Sequence, residues 1–193
     1  MENPTLAFIT SLIAMLLIMG SYFFKKKELY LLFQAAGMVF LIANYFFTVE
    51  FVAMLGLVVG LFRALVFFLY ERKDKLAPIA WAFLFSALSI AAYFIVNWKQ
   101  LQWQDAIFVI ALILYAFIFR IRDLKLMRFS VLVPTFLSVL YNVLIKATPF
   151  ATLSYAFELG ANLVSILKYH VFGKEEKEKK PQTIEKESTY EEN

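Results

Sequence analysis

FVAMLGLVVGLFRALVFFLYERKDK, residues 51–75, is the stretch that decides the fold. Its first twenty positions are apolar or glycine except for Arg63. Roughly 20 such residues are what an α-helix needs to cross the hydrocarbon core of a bilayer. The run then ends on Glu71, Arg72, Lys73, Asp74 and Lys75, charges that belong at or beyond the headgroups. A transmembrane helix with one buried cation and a basic end is the reading.

The same unit recurs on both sides. Seven spans are predicted: Thr5–Phe23, Tyr30–Phe47, Phe51–Tyr70, Leu76–Val96, Trp103–Phe119, Met127–Ile145 and Phe150–Tyr169. Short gaps make successive helices antiparallel neighbours. Only Thr48, Val49 and Glu50 separate the second span from the third. One helix through both would be about twice the length of a span, and Glu50 is costly in lipid, so a tight turn is expected there.

Composition agrees. Hydrophobic residues make up 62% of the 193 positions and charged residues 18%, with 22 Phe and 10 Tyr. A soluble domain carries roughly 45–50% apolar residues and could not hide this excess. With no Cys there is no disulfide and no thiolate metal site, and one His cannot build a zinc site within a chain. The first apolar run follows Glu2 rather than a basic segment and lacks a small-residue cleavage pattern. It is therefore read as a span, not a cleaved signal.

Positive charge sets orientation. Lys25, Lys26 and Lys27 follow span one, and Arg72, Lys73 and Lys75 follow span three. Arg120, Arg122, Lys125 and Arg128 flank the gap after span five; Lys168, Lys174 and the tail lysines follow span seven. The alternate gaps hold only Lys99 and Lys146. The amino terminus is thus expected outside and the carboxyl terminus in the cytoplasm. The net charge of +4 is loop charge of this kind and implies no nucleic-acid partner. Trp98, Trp103 and Tyr93 are expected at the outer headgroup level, with Trp81 toward the cytoplasmic side.

The layout predicts an all-α integral membrane protein of seven transmembrane helices in a 3+1+3 parallel repeat. Residues 1–75 form the first three-helix bundle, 76–97 a linker transmembrane helix, 98–172 the second bundle and 173–193 a disordered cytoplasmic tail. In each triplet a basic loop follows the first helix, and the second helix ends near an asparagine, Asn44 or Asn142. A single linking span leaves both triplets in the same orientation, as in transporters built on parallel repeats.

Chemistry, if any, rests on polar residues inside the spans. Arg63 lies roughly 10 Å from the cytoplasmic end of its helix. It either snorkels to the headgroups, pairs with a carboxylate or contacts an anionic solute. Gly56 and Gly60 share its face approximately and admit close helix contact. Glu158, Asn162 and Ser165 form a polar stripe on span seven; a midplane carboxylate must be paired, protonated or hydrated. A structural Arg63–Glu158 pair is one alternative, a role for either in transport the other. Asn44, Asn142 and Gln34 either line the same cavity or make interhelical hydrogen bonds. Pro134 is expected to kink span six, as a hinge or as static packing. Tyr45, Tyr141 and Tyr155 are cavity or boundary candidates, while Ser86 and Ser89 satisfy themselves on local carbonyls. No catalytic motif and no metal set stands out, so no enzyme and no cofactor is expected.

LGLVVGLFRALVFF with the following YERK, and ELGANLVSILKYH at residues 158–170, resemble corresponding stretches of the bacterial inner-membrane YgjV family. The likeness covers roughly residues 5–170. That family is similar in hydropathy to the SWEET, PQ-loop and nicotinamide-riboside transporter group. The resemblance implies a bacterial inner-membrane location, two three-helix bundles joined by an inversion helix, and a solute path between them. This chain departs at the Pro-Gln pair: Pro181-Gln182 lies in the tail, span two has no proline and span six only Pro134. Neither the PQ-loop hinge nor its substrates carry over, and no catalytic residue does.

The expected function is alternating-access transport of a small polar or anionic solute through a cavity lined by Arg63, Asn44, Asn142, Glu158 and Asn162. Glu158 would pair with Arg63 or respond to protonation. The alternative is a receptor or scaffold that binds a peptide, lipid or partner subunit. The bilayer is a certain partner on this reading, and Phe-rich outer faces permit a homo-oligomer.

Overall fold

The computed structural model describes residues 4–48, 51–97, 102–146 and 149–172. These form seven α-helices: α1 Pro4–Ser21, α2 Lys27–Phe47, α3 Phe51–Arg72, α4 Ile79–Asn97, α5 Trp103–Ile118, α6 Leu124–Leu144 and α7 Pro149–Ile166. A π-helical turn, Leu167–Phe172, extends α7. Lys27–Phe47, Ala53–Arg72 and Leu124–Leu144 are long and apolar enough to cross a membrane by length and composition. Thr5–Ser21, Ile79–Ile95 and Trp103–Ile118 are shorter apolar helices. The turn residues Val49, Glu50, Ala147 and Thr148, together with Trp98 and the tail from 173, lie outside the described residues.

Helix ends depart from the hydropathy boundaries for local reasons. Helix α6 starts at Leu124 rather than Met127 because the Asp123 carboxylate accepts a hydrogen bond from the Lys125 backbone N–H at 2.8 Å. That contact is an N-cap, and it draws charged residues into the first turn. Helix α4 starts at Ile79 rather than Leu76, since Pro78 disfavours helical geometry in the residue before it. Helix α1 stops at Ser21, not Phe23. The amides of Tyr22, Phe23 and Phe24 bond back three residues, to Met19, Gly20 and Ser21, in a tightened last turn. Pro134 is buried within α6, and the helix continues past it.

Successive helices pack side by side, and α7 returns onto α1, so the bundle closes on itself. In each triplet the second helix packs against both the first and the third. Helix α4 packs on α3 and α5, which also touch each other, so α4 sits on the outside of the ring. Two glycines permit the closest approaches. A methyl group at Gly37 would strike the Ile18 side chain and come within 3.3 Å of the Ala14 carbonyl. One at Gly56 would lie 2.7 Å from Leu112 and 2.9 Å from Phe108. The outer surface carries exposed Leu16, Phe62, Phe83, Ile95, Val133 and Phe136, an apolar envelope suited to acyl chains.

The loops after α1, α3 and α5 share one end of the bundle, the basic end. Lys27, read from sequence as a loop charge, is buried there and pairs with Glu71 at 2.8 Å, joining α2 to α3. Arg122 pairs with Asp74 at 3.2 Å across the loops after α5 and α3.

Candidate functional site

A cavity of about 20 Å³ lies inside the ring, with room for about one water molecule. Its polar lining consists of Gln34 from α2, Arg63 from α3, Tyr115 from α5, Ser138 from α6, and Tyr155 and Glu158 from α7. Both triplets contribute. The remainder is apolar, from Ile18, Met38, Leu41, Leu57, Phe108 and Leu112.

Arg63 is 1% exposed and does not snorkel. Its Nη1 donates to the Leu112 carbonyl oxygen at 2.6 Å, and its guanidinium carbon stands 5.4 Å and 5.2 Å from the Tyr115 and Phe119 ring centroids. Such cation–π contacts are worth about 2 kcal/mol or more when desolvated. Its Nε finds no acceptor. Gly60, one turn earlier, leaves the space in which a Cβ would meet Nη2 at 3.5 Å.

Glu158 is 3% exposed and looks toward the end of α1. It accepts a 2.7 Å hydrogen bond from the Tyr22 hydroxyl, which in turn accepts one from Tyr30 at 3.3 Å. The Arg63–Glu158 ion pair considered from sequence does not form; the described ion pairs are Lys27–Glu71 and Asp74–Arg122. The reason is direction. Arg63 turns to α5 and Glu158 turns to α1, so two ionisable groups line one cavity without neutralising each other.

The other polar candidates are engaged away from the cavity lining. Asn44 donates to the Ala7 carbonyl at 2.6 Å, binding α2 to α1. Asn142 accepts from the Tyr45 hydroxyl at 2.9 Å and donates to the Ser138 carbonyl of its own helix at 2.7 Å. Asn162 donates to the Arg128 carbonyl at 2.8 Å, binding α7 to α6. Ser165 donates to the Tyr22 carbonyl at 2.6 Å. Tyr141 donates to Asp105, a carboxylate in the first turn of α5 that the fold buries.

Sequence reasoning passed over a clasp at the basic end. The carbonyls of Tyr22, Phe23 and Phe24 lie past the end of α1 and need donors from elsewhere in the fold. All three receive side chains from the far end of the chain. Tyr22 is held by Ser165, Phe23 by the Tyr169 hydroxyl at 3.0 Å, and Phe24 by Arg128 Nη2 at 2.5 Å. Gln34 adds a bond to the Ser21 hydroxyl at 3.0 Å. Arg128 also lies 5.3 Å from the Tyr169 ring centroid. In sequence Arg128 is one loop charge among several; only the α7–α1 closure gives it this partner. Arg128→Met should lower unfolding free energy by about 2 kcal/mol, the worth of one hydrogen bond from a charged donor. Denaturant unfolding in detergent measures it.

Among the described residues no three His, Asp or Glu side chains gather where a metal ion could sit. No curated protein matches the chain, and no solved structure does. A family described as bacterial inner membrane protein, Imp-YgjV, matches residues 5–171. That match spans all seven helices, the cavity and the clasp, and the chain accordingly belongs to the Imp-YgjV family of bacterial inner membrane proteins.

Proposed function

We propose that the protein is a non-enzymatic transporter that moves a small polar or anionic solute by alternating access, with both ends of its path closed in this conformation. The observation that carries the proposal is the small cavity between the triplets, where Arg63 and Glu158 are buried without pairing with each other. Buried ions that serve packing alone gain from a partner or from replacement by apolar side chains. Ions kept apart in one cavity are suited to meeting a third charge or polar group. Arg63 would take the anionic or hydroxyl-rich part of the solute, and Gln34 and Ser138 would orient it. Helix α4, packed outside α3 and α5, supports a SWEET-like 3+1+3 arrangement with α4 as the linker. The basic end is assigned to the cytoplasm, which puts the amino terminus outside.

One observation favours a second reading. The cavity is about 20 Å³, far below the roughly 300 Å³ of a formed ligand pocket. A static receptor or scaffold, working through its basic loops or as a homo-oligomer, would look the same in this conformation. Uptake separates the two. Protein reconstituted in vesicles should take up one member of a panel of sugars, nucleosides, vitamins and organic anions saturably, and the same compound should raise the Tm in detergent. A flat panel in both assays rejects transport of these classes.

A further inference from the structure

We propose that Glu158 is a proton-binding site whose occupancy releases the clasp at the basic end, so that protonation opens the cavity on that side. The inference deepens the alternating-access reading by naming a coupling ion, a proton, and the element it moves.

Tyr22 is 0% exposed and does two things at once. Its hydroxyl donates to the Glu158 carboxylate at 2.7 Å. Its carbonyl receives Ser165, and the next two carbonyls receive Tyr169 and Arg128. The segment that closes the basic end is therefore tied inward to the Glu158 carboxylate, beside the weaker Tyr30 contact to the Tyr22 hydroxyl at 3.3 Å and the Gln34 bond to Ser21. The ionisable groups around Glu158 are Tyr22 from the end of α1, Tyr30 from α2, Arg63 from α3, Tyr115 from α5 and Tyr155 on α7, with Arg128 from α6 near Tyr22 and Tyr30. The two cations are committed elsewhere: Arg63 to Leu112 and two rings, Arg128 to Phe24 and Tyr169. Hydrogen bonds rather than an opposite charge hold the carboxylate, which makes it the group in the cavity whose charge a proton can cancel.

Protonation changes the Tyr22 bond in kind. A hydronium ion transfers its proton to the carboxylate, giving a neutral acid and a water molecule. The Tyr22 hydroxyl then donates to a neutral acceptor, and bonds to an ionised acceptor are roughly twice as strong as neutral ones. The new acid hydroxyl also needs an acceptor of its own, and Tyr22 is already a donor toward that site. Tyr22 is loosened, and with it the backbone that Ser165, Tyr169 and Arg128 hold. The π-helical turn carrying Tyr169 adds a place where the far side of the clasp can give, since such turns break the regular helical bond pattern.

The test uses the absence of cysteine from the chain. Ser138→Cys places a single thiol on the cavity lining, and a membrane-impermeant thiosulfonate is applied to oriented vesicles from the basic-end side. Rates are normalised at each pH to the same thiol in an E158Q background, which corrects for thiol ionisation. With Glu158 present, normalised labelling should be roughly fivefold to tenfold slower at neutral pH than at acid pH, the difference between the two bond types. Tyr22→Phe keeps the carboxylate and cuts its link to the clasp, so labelling should be fast at both pH values. An infrared carboxylic-acid band that appears on acidification, is lost in E158Q and persists in Tyr22→Phe reports proton binding directly. Normalised labelling that does not change with pH overturns the proposal, as does a pH response retained in Tyr22→Phe. These readouts involve no solute: if vesicle uptake fails while pH-dependent labelling persists, the transport reading falls and the proton site stands.

Discussion

Arg63→Met is expected to weaken solute binding a few hundredfold, and uptake with it, while leaving the folded protein about as stable as before. The two halves of that result come from one geometry. Arg63 makes no ion pair, so removing its charge strands no buried carboxylate partner. The substitution does forfeit a hydrogen bond to the Leu112 carbonyl and contacts with two aromatic rings. Against that loss it releases the cost of holding a guanidinium out of water, several kcal/mol, and methionine refills much of the volume. Stability should change by no more than about 2 kcal/mol in either direction. Binding is different, because a desolvated charge facing the solute is worth about 2–5 kcal/mol when its partner is present. At about 1.4 kcal/mol per decade, a middle value weakens affinity roughly 300-fold. The Tm with and without the solute found in the uptake panel gives both quantities from one preparation. A variant that loses several kcal/mol of stability would identify Arg63 as a packing residue and favour the scaffold reading.

How much of this was legible in the sequence divides along physical lines. Seven helices follow from hydropathy, since each apolar run must satisfy its own backbone hydrogen bonds in a medium without water. Arg63, Glu158 and Gln34 stand out for the same reason, as polar side chains amid apolar ones, and the fold gathers all three at the cavity. Their directions were not legible. Whether Arg63 turns toward α7 or α5 depends on which helix is opposite, and nothing local encodes that α7 packs on α1. Asn44, Asn142, Asn162 and Ser165 were visible as buried polar groups, but their acceptors or donors come from neighbours fixed only by bundle closure. Tyr22, Tyr30 and Arg128 escaped notice because each has an ordinary explanation at a membrane boundary. Tyrosine is common at headgroup level, and arginine is common in a cytoplasmic loop. Their burial requires that α1 end at Ser21, early enough for the chain to turn inward and expose three carbonyls to α6 and the last helix.

Gly37→Val should be the most destabilising single change among the helix-packing glycines, and Gly160→Ala should act in the opposite direction. At Gly37 an added Cβ meets the Ile18 Cγ1, next to the β-branch, which moves aside only if the stiff χ1 of isoleucine rotates. Behind it lies the Ala14 carbonyl, backbone of α1 that moves only if the whole helix does. Gly56 is also crowded, but one of its two neighbours is the terminal methyl of Leu112, which can rotate away. Overpacking a tight core costs about 1–3 kcal/mol for modest additions. Valine at residue 37 should reach the upper end or exceed it, because α1 would have to separate from α2. That separation also disturbs Ile18, whose carbonyl accepts from Ser21 beside the clasp. Gly160 faces outward from the bundle and has nothing within 4 Å of an added Cβ, so alanine there costs no packing. It gains the helix preference of alanine over glycine, about 1 kcal/mol. Unfolding of both variants in the same detergent supplies the comparison. Equal effects at residues 37 and 160 would mean that the α1–α2 approach is looser than the fold requires, and the early stop of α1 would then need another cause.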